Sequence, residues 1–504
     1  MMAGKGIVTG CDLSDLTPLC MPWKQIGGQL QPLFSRPAAL MSLELASSAY
    51  DLELDAWREA GWHDISYQVD NLLFSGVVGD GGEWEEDGGA SERYQKKAQA
   101  HLKRMNPISQ LRGALRQRES SDTCKAVVMI HAAPGGRYVT AIGFMGTGKR
   151  LYDWISNFRM GQSDGVHSGF LQLTQRFEKN SAQILFPETA RELGLPSLSL
   201  ADILVECRRP GSRFMVWMAG HSQGGAVMQL TAYREIGRGL LRQNLLGYGF
   251  ASPTVLYRRP NFDTAGFPLF HIINADDVVP RVGAQMHVGR CRVFRTDDEM
   301  RAACYGASFS SPVFRSVLLL LQTVRDNESA MLLFLALLRA LVRLPGEDAA
   351  RVLNSLMGGL MPSFLMGVLG GRMDDVLSML IRKTEQGFVS ALRGAPVREQ
   401  AVKILTARIS ALIREYGAPA FSRAAAHALG LPHRLRVYDP AKGIGAYQYL
   451  VLRRFDALTG RLYSGASVHA GDGMRMPVRR PRLSRYAALS AQRSRRACRT
   501  VKRA

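Results

Sequence analysis

Phe214-Met215-Val216-Trp217-Met218-Ala219-Gly220-His221-Ser222-Gln223-Gly224-Gly225-Ala226 is the stretch that decides the fold of this chain. Six apolar residues read as a short strand. Gly-x-Ser-x-Gly follows, and then Ala226 to Ile236 continues as a helix, with Val227, Leu230 and Tyr233 or Ile236 on one face and Gly237 and Gly239 as the stop. Strand, pentapeptide and helix in this order are the layout of a nucleophile elbow. The turn is tight, so the serine must take a strained backbone angle, and glycines two residues to either side remove side chains that would strike the neighbouring strand and helix. The Ser222 hydroxyl then stands at a helix N-terminus, where outward N–H groups favour negative charge.

The neighbouring segments extend the pattern. Ala126 to His131 and Arg137 to Phe144 are strand-like, with Gly135-Gly136 as the turn between them. Asn244 to Phe250 and Phe267 to Asn274 read as further strands, and Leu151 to Phe158 and Leu171 to Ile184 as helices. Strands alternating with helices predict an α/β fold with a mostly parallel central sheet. Upstream, Ser42 to Trp62 reads as a helix, and basic Tyr94 to Gln117 as another, interrupted at Pro107. From about Pro312 to Tyr416 the pattern changes to long helical runs, which predicts a large α-helical insertion. Val352 to Gly371 lacks charge, but its glycines, Pro362, Asn354 and Ser355 make poor material for a membrane span and fit a buried helix pair better.

Composition narrows the classes. The chain has 504 residues and a formal net charge of +21. Length alone suggests two to four domains, or one large domain with insertions. The segment from Met476 to Ala504 carries arginines and Lys502 with no acid, and reads as a solvated, disordered basic tail. Seven cysteines, odd in number and scattered, form no metal-ligand spacing and no disulfide framework, which suits a reducing compartment. Met1 to Trp23 lacks a basic region followed by an apolar stretch, so no secretory signal is expected. The expected location is the cytoplasm, with peripheral contact at membranes.

A serine hydroxyl is a poor nucleophile at neutral pH. It needs a histidine to take its proton and a carboxylate to hold that histidine in the right tautomer. In this layout the chain order is Ser, then acid, then His. Asp276 and Asp277 follow the strand ending at Asn274, where the acid belongs. Downstream stand His287, His427, His433 and His469, of which His287 comes too soon. Gly143 to Arg150 nearly spells a phosphate-binding loop, but Arg150 replaces the Ser or Thr that would bind magnesium.

At this point the chain resembles the class 3 lipases, the family of the fungal triacylglycerol lipases. Ile142-Gly143-Phe144-Met145-Gly146-Thr147, with Asp153-Trp154 and Asn157, resembles the family's oxyanion strand and loop, although Met145 stands where the family usually has arginine. Val166-His167-Ser168-Gly169-Phe170, the elbow, Tyr248 to Pro253, and Asn274-x-x-Asp277-Val278-Val279-Pro280 follow in the family's order. The resemblance implies an α/β-hydrolase acting on carboxylic esters of lipids through an acyl-serine intermediate, with no metal or organic cofactor. It implies Ser222 as nucleophile and Asp277 as acid, because Asp277 directly precedes Val-Val-Pro, with Asp276 as the register-shifted rival. The backbone N–H groups of Thr147 and Gln223 form the implied oxyanion hole. His433, five residues before Tyr438, is similar to the family's terminal His-x-x-x-x-Tyr and is the first choice of base, ahead of His427 and His469. Arg159 to Gly165 occupies the position of the family's lid.

The resulting organisation is a cover region over 1–120, an α/β-hydrolase core over 121–300, a helical insertion over 301–425, a returning core segment over 426–475 that carries the histidine, and a basic tail over 476–504. The expected partner is a lipid ester substrate, with contact at a membrane or lipid-droplet surface, and no nucleic acid. Other readings of the same residues are a phospholipase or acyltransferase using the same triad, and a lipid-surface protein with an inert core.

Overall fold

The computed structural model describes residues 4–19, 23–26, 29–51, 54–65, 126–146, 162–163, 165–257, 264–324, 408–409, 411–437, 443–454 and 460–464. Its centre is one eight-stranded sheet made of β1 (His63–Asp64), β2 (Ala126–Ala133), β3 (Arg137–Phe144), β4 (Phe214–His221), β5 (Leu245–Phe250), β6 (Leu269–Asn274), β7 (Arg290–Phe294) and β8 (Gly460–Ser464). The order across the sheet is the order along the chain. The middle pairs β3–β4, β4–β5, β5–β6 and β6–β7 are parallel, and the pairs at the two edges are antiparallel. The hairpin between β2 and β3 turns on Gly135 and Gly136, both at positive φ, as the sequence predicts.

Parallel strands need covering on both faces, and they read as unbroken apolar runs for that reason. All eight residues of β4 are buried. On one face lies α1 (Arg36–Asp51), whose Ser42 hydroxyl accepts from Trp217 Nε1 at 2.8 Å. On the other lie α2 (Ser168–Asn180) and α3 (Gln223–Gly237), and Phe177 of α2 stacks edge-on against Phe144. An ion-pair group of Glu178 with Arg234 (2.6 Å) and Arg238 (2.9 Å) joins α2 to α3. Burial of apolar area on both faces at roughly 25 cal/mol per Å² is the main force holding these layers.

Two helices start earlier than periodicity predicts. In place of one helix over Ser42–Trp62, α1 begins at Arg36, and a separate short helix covers Asp55–Glu59. The start is set by chemistry rather than by apolar spacing: Ser35 Oγ accepts from Ala38 N at 3.3 Å, and Pro37 suits a first turn that needs no N–H. Likewise α2 begins at Ser168, because the His167 ring accepts from Phe170 N.

The N-terminal loop is fastened to α1 by one carboxylate. Glu44, buried in the middle of α1, accepts from the backbone N–H groups of Ile7 (2.7 Å), Val8 (3.1 Å) and Thr9 (2.9 Å). Val8 in turn accepts from Gln448 Nε2 at 3.0 Å, in a helix near the far end of the chain.

That end of the molecule is helical. The described part comprises α4 (Asp298–Tyr305), α5 (Pro312–Val324), α6 (Ala418–His433) and α7 (Ala446–Arg453), with α5 packed on α6. The helices expected at Tyr94–Gln117 and Leu151–Phe158, most of the expected helical insertion and the expected basic tail lie outside the described residues. Among the described residues no helix is long and apolar enough to cross a membrane.

Candidate functional site

β4 delivers its last residues to a turn made possible by missing side chains. Ser222 caps α3 at φ 55, ψ −127, a left-handed conformation that an L-residue holds at a cost of about 1–3 kcal/mol. The turn is held there by Ser222 N donating to Phe250 O at 2.9 Å and by Gly225 N donating back to Ser222 O at 3.0 Å. A Cβ on Gly220 would lie 2.5 Å from Gly224 O. One on Gly224 would lie 2.2 Å from Phe144 O, and one on Gly225 would lie 2.0 Å from Ser252 Oγ. The glycines are therefore a packing requirement. Gly146 also packs against the turn: a Cβ there would meet Ser222 Cβ at 3.0 Å. The loop that leads to Thr147 thus lies against the nucleophile candidate, while Thr147 itself is outside the described residues. Gln223 is the first residue of α3.

The acid turn follows β6. Asp277 Oδ2 accepts from His433 Nδ1 at 2.9 Å and from Tyr447 OH at 2.7 Å, and Oδ1 accepts from Val279 N at 3.0 Å. Both Asp277 and His433 are buried. With Nδ1–H committed to the carboxylate, Nε2 is the ring nitrogen left to take a proton. Burial, with the neighbouring Asp277 charge, pushes the Tyr447 phenol well above its ordinary pKa, so it stays a donor. Asn274, at the start of the turn, donates from Nδ2 to Pro432 O at 2.9 Å. The same turn therefore holds both the ring of His433 and the backbone just before it.

The rivals go elsewhere. Asp276 does not reach His433; it accepts from Arg301 Nε at 2.9 Å and Nη2 at 3.1 Å. His427 Nδ1 is hydrogen-bonded to Ser308 Oγ at 2.8 Å. His287 is fully buried and donates from Nε2 to Ser252 O at 2.8 Å. His469 is outside the described residues.

The elbow histidine links the two halves of the site. His221 Nε2 is 2.9 Å from His433 O, which can only accept, so Nδ1 accepts from Tyr50 OH at 2.6 Å. Burial pushes this imidazole well below its ordinary pKa, and the nearby His433 adds to the effect, so it stays neutral. Its ring lies 4.6 Å from that of His433, centroid to centroid. This linkage brings the histidine segment beside the elbow.

Sequence reasoning missed Tyr447 and Tyr50 as members of the site and read Asn274 only as part of a motif. Tyr447 carries no local signal, because its partner is 170 positions away. Among the described residues no group of three His, Cys, Asp or Glu side chains could hold a metal ion.

Comparison with known proteins bears on the same segment. Residues 141–287 match the family model described as Lipase (class 3), so the resemblance read from the sequence is shown there. The match contains the elbow and the acid turn and ends before His433. Among solved structures, this chain is similar to Rhizomucor miehei triacylglyceride lipase, at 23% identity over 36% of this chain and 64% of that one, with a TM-score of 0.26. It is also similar to that lipase in its native propeptide complex (21%, 36% and 55%, TM-score 0.26) and to lipase II from Rhizopus niveus (20%, 35% and 63%, TM-score 0.25). The chain spans less than two thirds of the length of each of these. No curated protein matches.

Proposed function

We propose, taking the class 3 lipase match of residues 141–287 as premise, that this chain hydrolyses carboxylic esters of lipids through Ser222, His433 and Asp277. The observation that carries the reading is the 2.9 Å contact of His433 Nδ1 with Asp277 Oδ2, on a segment tied by His221 to the strained serine turn. In the scheme, His433 Nε2 takes the Ser222 proton as Oγ attacks the ester carbonyl. The same proton then goes to the departing alcohol, leaving an acyl-serine. Water, deprotonated by the same nitrogen, attacks the acyl carbon; Ser222 recovers its proton and the acid leaves. Asp277 keeps the imidazole in its Nδ1–H tautomer and steadies the imidazolium.

The oxyanion of each tetrahedral state is assigned to the N–H groups of Gln223 and Thr147. The position of Gln223 at the first turn of α3 and the close approach of Gly146 support that assignment. One such donor is worth roughly 3–4 kcal/mol. Nucleophile, base and charge stabilisation all come from the chain, so the scheme draws on no cofactor. A cytoplasmic enzyme working at the surface of membranes or lipid droplets fits the lipid-ester reading.

The test is hydrolysis of p-nitrophenyl butyrate by wild type and by Ser222→Ala, His433→Ala, His427→Ala and His469→Ala. The reading expects loss in the first two variants and retention in the last two. Undiminished activity in Ser222→Ala, or loss at His427 or His469 with His433→Ala active, would overturn it.

A further inference from the structure

Two adjacent carboxylates leave the acid turn, and separate sets of donors hold them. Asp277 is held by His433, Tyr447 and Val279 N. Asp276, with 2% of its side chain exposed, is held by Arg301 through two nitrogens, by Tyr305 OH at 3.2 Å and by Gln322 Nε2 at 2.9 Å. None of these four contacts touches the reaction.

Their origin gives them meaning. Arg301 and Tyr305 belong to α4 and Gln322 to α5, the helices that open the region between the acid and the histidine. α5 packs on α6, whose last residue is His433. α4 is also tied to α7: Tyr449 OH donates to Glu299 at 3.1 Å, and Arg454 Nη2 reaches Glu299 at 2.8 Å. α7 carries Tyr447, which donates to Asp277. The contacts close a ring: α7 to Asp277, through the peptide to Asp276, through Arg301 to α4, and back to α7. A branch runs from Asp276 through Gln322 and α5 to the histidine helix.

We propose that Asp276 is a positioning residue, and that Arg301 and Gln322 make the opening helices of the inserted region part of the brace that sets Asp277 against His433. The inference rests on the Ser222–His433–Asp277 reading. Charge makes it asymmetric. Without Arg301, the Asp276 carboxylate is buried among neutral donors, and the turn must shift or the group must take up a proton. Without the Asp276 charge, Arg301, 21% exposed, still has Asp298 at 3.2 Å and solvent.

The experiment compares wild type, Arg301→Met, Asp276→Asn/Arg301→Met and Gln322→Ala. Each is assayed on p-nitrophenyl butyrate, with kcat expressed per serine titrated by a fluorophosphonate. Thermal melts are run in parallel, and Ser222→Ala is the control. A displaced acid turn lowers kcat of Arg301→Met by about 10–100-fold at a KM within about two-fold of wild type. The double variant, which keeps the shape and removes the unpaired charge, returns to within about five-fold of wild type. Gln322→Ala falls by about three-fold, and its fluorophosphonate reacts more slowly. If Arg301→Met does not fold, Gln322→Ala decides. Unchanged kcat per titrated site in the folded variants, even with a lowered melting temperature, would overturn the inference and leave the triad reading intact. Wild-type turnover equal to that of Ser222→Ala would remove the triad reading first.

Discussion

The turn around Ser222 and the turn around Asp277 stand at the same end of one sheet, yet they are fixed by opposite means. The elbow is fixed by absence: four glycine positions, 146, 220, 224 and 225, have backbone or side-chain atoms where a Cβ would go. The acid turn is fixed by presence: Asn274, Asp276 and Asp277 engage partners from four helices, α4, α5, α6 and α7. Steric fastening is local, insensitive to pH and intolerant of any added atom. Polar fastening reaches across the chain and fails by degrees, with a cost that depends on whether a charge is left unpaired.

The largest effect tests whether the polar turn is as necessary as the steric one. Ser222→Ala and Asp277→Asn should each lower kcat by about 10⁴-fold or more, the second by holding His433 in the wrong tautomer. Steady-state kinetics with matched far-ultraviolet spectra check this, and an active Asp277→Asn would break the comparison. Next in size is Gly224→Ala, whose methyl would meet the backbone oxygens of Phe144 and Met145 rather than a movable side chain. It should cost roughly 3 kcal/mol or more, read as a lower denaturation midpoint or insoluble protein. Gly225→Ala meets the Ser252 side chain first and should cost less; equal losses would show that the contact atom does not matter.

A third test concerns pH. Burial lowers the pKa of His167, whose ring accepts from Phe170 N, from 6.5 to about 4. The folded state binds this proton less readily than the unfolded one. The contribution is therefore complete above about pH 6.5 and is lost as pH falls towards 4, by up to roughly 3 kcal/mol. Melting temperatures measured across that range should fall less steeply in His167→Asn, which can cap but does not titrate. Parallel curves would count against the assignment. A smaller effect is expected at Tyr447→Phe, which removes one of three hydrogen bonds to Asp277. It should cost about 1–2 kcal/mol, or roughly ten-fold in kcat, with KM little changed.

The same contrast explains what could be read beforehand. The elbow, its strand and its helix stand in one continuous stretch, and glycine at Gly220 and Gly224 carries their geometry openly. The parallel strands announce themselves as apolar runs because both faces are covered. The first turn of α1 was less legible, since the start depends on Ser35 and Pro37 rather than on apolar spacing. The roles of Tyr447, Tyr50 and Arg301 were not legible at all. Each acts on a partner distant in the chain, and nothing in a lone tyrosine or arginine says which buried carboxylate or ring it will meet. His433 could be ranked first only through its similarity to a family pattern; its partner within that pattern, Tyr438, lies outside the described residues.

Consider finally how late the acid receives its support. The serine, its turn and the first carboxylate are synthesised well before residue 300, but Asp277 gains its histidine only from residue 433 and its phenol only from residue 447. In the triad proposed above, a nascent chain that ends short of residue 433 therefore carries its serine without the imidazole that would activate it, and one short of residue 447 lacks a donor to the acid.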